Sequence, residues 1–534
     1  MSDWNKPQGP FDIPDVPDFI PRRLKPWLFI FFVLVIQFSG GLYLAAVTDM
    51  VGTKALMQED ILMAGYASLI GMSINFAVMF RFKFRFSNRI QLLATGLVLL
   101  TATIICSFTE SVPVLVVTCF IAGWFRMQGT LACNSTIQLW LTPVRDMAVF
   151  FCYVYLLVDG VIQLSGLTSI YIAFYSRWEY MHLLMGSLLC LMMVMVLFLV
   201  RPVRGPMYIP LKGIDWTGAF LWSIFFICFT FVCVYGNFYD WWDAVEIRVA
   251  TAIGTVTLLI NLWRASFLEN PYISFQAMTN RNVVRAIIIY VIFFTLMATE
   301  HLFEHTYAGT VLGFDETNLI DLNWYVLWGV IAGAGFTYVT FARCKWRYKT
   351  MTAIGFALAV IYLAWFYFFI DYGIEKEQLF LPLFIRGAAS VIISIVYLTS
   401  IVQSGLHFTV FPQALTINGF AGAVMGAAFC PALLGEWFRH TVARNSALLG
   451  SSITDLTPAA GNLHLPQLYG MVQVQSLIVS MKEIYGWLLI IGIISLTVIL
   501  LSYGPVRPGA FFPSWKTIRH LIAAGIPRQL KVRS

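Results

Sequence analysis

Seven side chains able to carry chemistry, Arg126, Asp159, Glu300, His301, Glu304, His305 and Arg386, stand inside stretches that are otherwise apolar. A charge in the middle of a bilayer costs from ~2.5 to more than 10 kcal/mol depending on the reference state, so such groups bind ions or charged substrates, carry protons, or pair with one another. A carboxylate suits proton work where access alternates, because burial favours its neutral form and a nearby cation its charged form. Asp159 follows Arg145 by 14 residues, which places it near the midplane of its span. Arg126 falls at similar depth on the preceding span if the chain turns near Pro143, and at 1.5 Å rise per residue the mismatch is only ~3 Å. The two are expected to couple, either as a proton-handling pair or as a static ion pair that locks two helices.

Ala298-Thr-Glu300-His301-Leu-Phe-Glu304-His305 offers a second set. At i, i+4 spacing the two glutamates share one helical face and the two histidines a neighbouring one. The set falls in the outer part of the membrane, where Arg386, early in its own span, can meet Glu300. Three roles compete for Glu300: proton relay, recognition of a cationic substrate, and a solvated helix end. Glu304 and His305 fit an interfacial position as well. His301-Leu-Phe-Glu304-His305 also matches the inverted zinc-protease pattern. A membrane metalloenzyme is therefore an alternative, although no third ligand stands nearby and the motif counts only in the right context. No cofactor is expected, and the chain is read as not an enzyme.

These residues need long apolar elements to position them. The 534 residues are 59% hydrophobic and 11% charged, with a mean hydropathy of +0.78, whereas soluble domains carry about 25% charged residues. The apolar residues come in blocks of about 20, the length of a helix that crosses a ~30 Å hydrocarbon core. The expected fold class is an all-α membrane protein with fourteen spans, at 27–47, 61–80, 90–108, 112–140, 146–174, 181–200, 216–235, 244–263, 286–308, 323–342, 351–370, 378–406, 414–435 and 484–503. No soluble catalytic domain fits in what is left. Of nine cysteines, only Cys344 lies in a loop, which is neither a disulfide framework nor a metal-ligand spacing. Residues 1–26 lack the features of a cleaved signal peptide.

The formal charge of +7 lies in loops flanking the spans, a membrane signal and not a nucleic-acid one. With the N-terminus in the cytoplasm, 25 of the 34 Lys and Arg fall in inside segments and seven outside, and the remaining two are Arg126 and Arg386. That asymmetry places both termini inside. Trp515-Lys-Thr-Ile-Arg-His-Leu-Ile522 reads as an amphipathic helix on the membrane surface.

The chain also reads as a duplication. Basic loops at Phe80–Arg89 and Phe341–Lys349 take equivalent places only if spans 1–6 and 9–14 are repeats and spans 7 and 8 an insert. Each repeat then carries an arginine followed by glycine on its fourth helix, Arg126 with Gly129 and Arg386 with Gly387. The expected organisation is a cytoplasmic tail (1–26), a six-helix bundle (27–205), two inserted helices (206–265), a second six-helix bundle with a periplasmic loop at 436–482 (266–505), and an amphipathic tail (506–534). Six-helix repeats of this kind belong to rocking transporters.

Several motifs carry a family likeness. Arg126-Met-Gln128-Gly129, Trp178-Glu-Tyr-Met181, Asp215-Trp-Thr-Gly218, and Glu269-Asn-Pro-Tyr-Ile-Ser-Phe with Asn280-Arg-Asn282 occur in this order over nearly the whole chain. In this the chain resembles the fourteen-span drug:proton antiporters of the major facilitator superfamily, the EmrB/QacA branch. It departs from them at Phe38-Ser39, where relatives carry Leu-Asp, in the 80–89 loop, which lacks the Gly and Asp, and at Asp159-Gly160-Val-Ile-Gln163-Leu-Ser-Gly166, which lacks the proline of the fifth-helix motif. The resemblance implies a proton-coupled exporter of amphipathic small molecules, cationic ones included, in the bacterial inner membrane. It implies that the 436–482 loop docks a periplasmic adaptor (membrane fusion protein) leading to an outer-membrane channel, with a floppy cap over the helix ends as the alternative. Protons, substrate and lipid are the other expected partners, and nucleic acid is not one. Coupling is assigned to Arg126, Asp159 and Glu300, and the substrate cavity to Gln37, Gln128, Asn134, Gln163, Glu304 and Arg386, with Tyr43, Tyr290 and Gln403 as further polar contacts. An importer or uniporter on the same fold is the alternative.

Overall fold

The computed structural model describes residues 15–21, 24–40, 50–51, 56–142, 146–203, 211–314, 316–404, 406–407, 410–452 and 465–501. The amphipathic helix expected at 515–522 lies outside these residues, as do Tyr43 and the turn expected at Pro143. The helices in chain order are α1 (Lys25–Phe38), α2 (Gln58–Asn75), α3 (Met79–Arg85), α4 (Asn88–Phe108), α5 (Val112–Leu141), α6 (Met147–Tyr175) and α7 (Tyr180–Leu199). Next come α8 (Trp216–Tyr235) and α9 (Val245–Phe267). The last set is α10 (Arg281–Met297), α11 (Thr299–Thr306), α12 (Glu316–Thr337), α13 (Tyr348–Phe369), α14 (Phe380–Val402), α15 (Phe411–Phe420), α16 (Cys430–Ser452) and α17 (Leu465–Leu501). Three π-helical stretches interrupt the last set, at Tyr307–Val311, Tyr338–Arg343 and Ala421–Phe429. Such wider turns recur at functional sites.

Among the described residues eleven helices are long and apolar enough to cross a membrane, or twelve if α2 and α3, bent by 67°, form one broken span. The difference from the expected fourteen has a local cause. The first apolar stretch is described as only the 14-residue α1, and the ninth is divided into α10, α11 and a π turn. Helix ends follow from local chemistry. Asp146 caps α6, its Oδ1 accepting from the Ala148 N–H at 3.1 Å, and Asp215 caps α8, accepting from Gly218 N–H at 2.9 Å. The Asp-Trp-Thr-Gly motif is thus a helix start.

The interior holds two large apolar cores. One is built from residues between Val16 and Val200, the other almost wholly from residues between Ala277 and Leu488. In each, two helices cross on reciprocal glycines. A Cβ on Gly71 would sit 2.1 Å from the Phe120 carbonyl oxygen and one on Gly123 1.9 Å from that of Ser68, so α2 and α5 touch backbone to backbone. The same relation joins α12 and α14, through Gly329 against Phe384 and Gly387 against Val326, at 2.2 and 2.5 Å. Helices in lipid gain most from such close approach, because burying apolar surface there brings no hydrophobic advantage.

Two elements join the groups. α6 packs chiefly on α12 and α14 and little on α5. α8 lies along α2 on one side and, on the other, meets the π segment 421–429 and Phe420 at the end of α15.

Residues 436–482, read from sequence as a long polar loop, are mostly helix. α16 and α17 run far past the ends of their spans and pack on each other through Asn445 to Ser480 (2.9 Å) and Ser446 to Ser476 (2.8 Å). Their hydroxyl and amide groups satisfy one another across the helix pair, which explains a polar composition without a loop. Only 453–464 of that stretch falls outside the described residues.

Candidate functional site

The i, i+4 spacing of Glu300 and Glu304 does put both on one face of α11, and that face meets Arg386 of α14. One guanidinium nitrogen, Nη1, lies 3.0 Å from Glu300 Oε1 and 3.2 Å from Glu304 Oε2. The Glu304 carboxylate also accepts a hydrogen bond from the Tyr362 hydroxyl of α13 at 2.7 Å, and Tyr362 in turn lies 3.2 Å from the Thr299 hydroxyl. Arg386 is 4% exposed and its Nε is buried with no hydrogen-bond partner. Glu304, assigned to the substrate cavity with an interfacial position as the alternative, is an inner member of this cluster.

The cluster borders a cavity of about 170 Å³ between α6 and the C-terminal helices. Asp159 and Gln163 line it from α6, Glu300 from α11, and Arg386, Gly387 and Ser390 from α14. Gly426 of the third π segment closes another side. The N-terminal group therefore contributes a carboxylate, and the C-terminal group two carboxylates and the one arginine. Two of these acids, Glu300 and Glu304, share the Arg386 guanidinium, and Asp159 lines the same cavity without an ion pair among the described residues. Acids outnumber the one guanidinium here, a balance that favours a cationic ligand.

Asp159 makes no ion pair among the described residues, and the expected pairing with Arg126 is not formed. Depth along the helix was matched; direction around it was not. α6 turns Asp159 toward the C-terminal group, while Arg126, 4% exposed, points back into the N-terminal core. There its Nε and Nη2 lie 3.0 and 2.5 Å from Met72 Sδ, and its guanidinium fills the space a Cβ on Gly40 would take. Three polar residues expected in the cavity are also within that core. Gln37 donates to Thr130 Oγ1 at 2.8 Å, Gln128 donates to Gln91 Oε1 at 2.8 Å, and Asn134 is 6% exposed. Of the expected set, Asp159, Gln163, Glu300, Glu304 and Arg386 are brought together, and Gln37, Arg126, Gln128 and Asn134 are not. Tyr362 and Ser390 were missed, since a tyrosine or serine in an apolar span carries no signal of which face it occupies. Tyr290 stacks on Tyr397 with ring centroids 3.9 Å apart, and Gln403 accepts from the Tyr348 hydroxyl at 2.6 Å.

The side chains of His301 and His305 lie outside the described ones. Among the described residues no three His, Cys, Asp or Glu gather as metal ligands.

No family model and no curated protein matches the sequence. Solved structures do match in shape. A mutant of the peptide transporter POT in complex with alafosfalin superposes with a TM-score of 0.56 at 13% identity, over 89% of this chain and 94% of that one. An auto-inhibited POT family peptide transporter gives 0.52 at 12% identity, over 92% and 99%. The chain has the major facilitator fold. It is all-α and multi-pass, with apolar helices long enough to cross a membrane. The likeness lies with POT-type transporters and not specifically with the EmrB/QacA branch. The expectation of a drug exporter in a tripartite pump is thereby corrected, with its multidrug antiport and its adaptor and outer-membrane channel. The matched structures are peptide transporters, and the stretch assigned to adaptor docking is a pair of packed helices. The importer or uniporter alternative is the one they favour.

Proposed function

We propose that this chain is an alternating-access uptake carrier for small charged molecules of the short-peptide class, with the cavity between α6 and α14 as its binding and coupling site. The observation that carries the reading is the group of Arg386, Glu300 and Glu304 bordering a cavity that Asp159 lines from the other helix group. An amino group of the substrate can enter against the excess carboxylates, and the arginine can meet a carboxylate. Protons neutralise the acids when the site is empty, which links proton movement to occupancy. Arg126 takes no part in coupling in this reading; it closes the packing of α1, α2 and α5.

The reciprocal glycine crossings of α2 with α5 and α12 with α14 support the two-repeat division at 27–205 and 266–505 with 206–265 inserted. The excess of Lys and Arg on one side supports an inner-membrane location with both termini cytoplasmic.

The test is uptake of labelled di- and tripeptides into proteoliposomes under an inward proton gradient. Accumulation above that of empty liposomes is expected, with loss in Glu300→Gln and Asp159→Asn. Entry no faster than into empty liposomes across the panel rejects the reading. Entry indifferent to the gradient leaves a uniporter.

A further inference from the structure

The inserted helices α8 and α9 had no role in the sequence, and their contacts supply one. α8 is wedged along the seam between the two groups. Toward the N-terminal group, Trp222 and Phe226 pack with Ile70, Ile74 and Val78, and at the far end the Tyr235 hydroxyl donates to Asp60 Oδ1. Asp60 is itself fixed, since its Oδ2 accepts from the Met57 N–H that starts α2, at 2.9 Å. Toward the C-terminal group, Phe226 stacks on Phe420 with centroids 4.2 Å apart, and Phe229 meets Phe420 and Phe429.

The loop from α8 to α9 then crosses to α16. Trp241 Nε1–H donates to Glu436 Oε2 at 3.0 Å, and Arg439 Nη1 pairs with Asp240 at 3.1 Å. Arg439 Nη2 and His440 Nε2 lie 3.0 and 2.7 Å from the other oxygen of Glu436. Both loop residues are left-handed, Asp240 at φ 50° and Trp241 at φ 55°. A bulky residue such as tryptophan persists there only where its surroundings hold it. Here the holders are the Glu436 hydrogen bond and the close seat of the indole on Gly236, where a Cβ would lie 2.8 Å from the ring.

Rocking requires one group to move against the other. A loop bonded to both groups on one face must release one of them before that face opens. We infer that the α8–α9 loop is the latch of that face, anchored to the N-terminal group by Tyr235 on Asp60 and released at Asp240 and Trp241 from Glu436 and Arg439. The asymmetry favours release on the α16 side. The N-terminal anchor is buried and backed by an apolar core, whereas Arg439 and Asp240 are half-exposed, with 49% and 69% of their side chains in solvent. Trp241 gains backbone freedom on letting go.

This inference rests on alternating access but not on the peptide substrate, so its test uses no substrate. Spin labels at Glu110→Cys and Glu377→Cys, both exposed on the latch face, report the separation of the groups in nanodiscs, with Cys190, Cys228 and Cys344 replaced by alanine. Trp241→Phe keeps the ring and removes the donor, and Arg439→Gln removes the ion pairs. Each should raise the long-distance population roughly fivefold, the effect of losing about one net hydrogen bond. Trp242→Phe, next to the latch with an exposed indole, should leave the distribution as in the parent. An unchanged distribution in Trp241→Phe overturns the inference even where Arg439→Gln fails to fold. An equal shift in Trp242→Phe overturns it as well.

Discussion

Replacing Arg386 with glutamine tests the centre of the site most directly, because the structure predicts both the loss and its rescue. The guanidinium side chain is 5% exposed and serves Glu304 at 17% and Glu300 at 31%. Breaking a buried pair from one side costs ~3–5 kcal/mol, since the remaining charge keeps its desolvation penalty without its partner. Glu300 is nearly one-third exposed and recovers much of its hydration, so the lower end applies, about 3 kcal/mol. Glu304→Gln should cost about 1 kcal/mol, because Arg386 keeps Glu300 and Tyr362 can still donate to the amide oxygen. In the double variant the orphaned inner charge is absent. Its loss should therefore fall short of the sum of the two by about 1.5–3 kcal/mol, as for groups in direct contact. Unfolding in mixed micelles of increasing SDS content measures all four corners of the cycle. Additive losses, or an Arg386→Gln chain within about 1 kcal/mol of the parent, would refute the view that this arginine neutralises both glutamates.

Three further outcomes follow from other contacts. Asp159→Asn should leave stability nearly unchanged, since no ion pair is lost among the described residues, yet remove the response of uptake to an imposed proton gradient; an intact response sinks the coupling role. Gly123→Val forces a side chain into the Ser68 carbonyl and should prevent recovery of monodisperse protein, whereas Gly450→Ala, with open space around it, should be recovered like the parent on size-exclusion chromatography. Asp146 holds Lys345 across the two groups at 2.5 Å; burial works against its charge, but the Lys345 bond and charge and the backbone N–H groups win and leave its carboxyl below the usual range. A depressed folded value gives stability that is present above the unfolded value and lost as pH falls through the folded one. Asp146→Asn should thus cost under about 1 kcal/mol at pH 7, the pair being largely exposed, and less as pH falls below the usual carboxylate range, as read by unfolding midpoints across that range.

Much of the architecture was legible because hydrocarbon imposes a length and a polarity on every span. The pairing of Arg386 with Glu300 was legible for a related reason: both could be placed by counting residues from a membrane surface, and two opposite charges near one depth have strong cause to meet. The same count failed for Arg126 and Asp159. Rise per residue gives height along a helix but not direction around it, and helices with hydrophobic residues on all sides give no amphipathic stripe from which to read direction. α6 is such a helix. Its partners are α12 and α14, some 150 to 230 positions further along the chain, so Asp159 faces acids that no local pattern announces. The polar run at 436–482 misled for the opposite reason, since its serines, asparagine and charges satisfy one another across two packed helices and only resemble a solvated loop.

Arg126 and Arg386 show why a motif can mark a fold without marking a site. Each lies on the helix that crosses a glycine-bearing neighbour backbone to backbone, α5 on α2 and α14 on α12. The close crossing leaves little room beside it, and in each group the arginine extends into the space that remains. In the C-terminal group that space opens on the cavity and holds two glutamates. In the N-terminal group it is filled by Met72 and the backbone at Gly40, and the guanidinium finds sulfur there in place of a carboxylate among the described residues. Matched positions thus carry unmatched chemistry, and the acid that the N-terminal group adds to the cavity comes from α6. The fold thus gathers Arg386, Glu300 and Glu304 on one side of the cavity and meets them with one carboxylate, Asp159, from the other. If the groups move as proposed, the distance between Asp159 and Glu300 changes directly. Under the proposed alternating access, coupling through that distance needs no relay through Arg126.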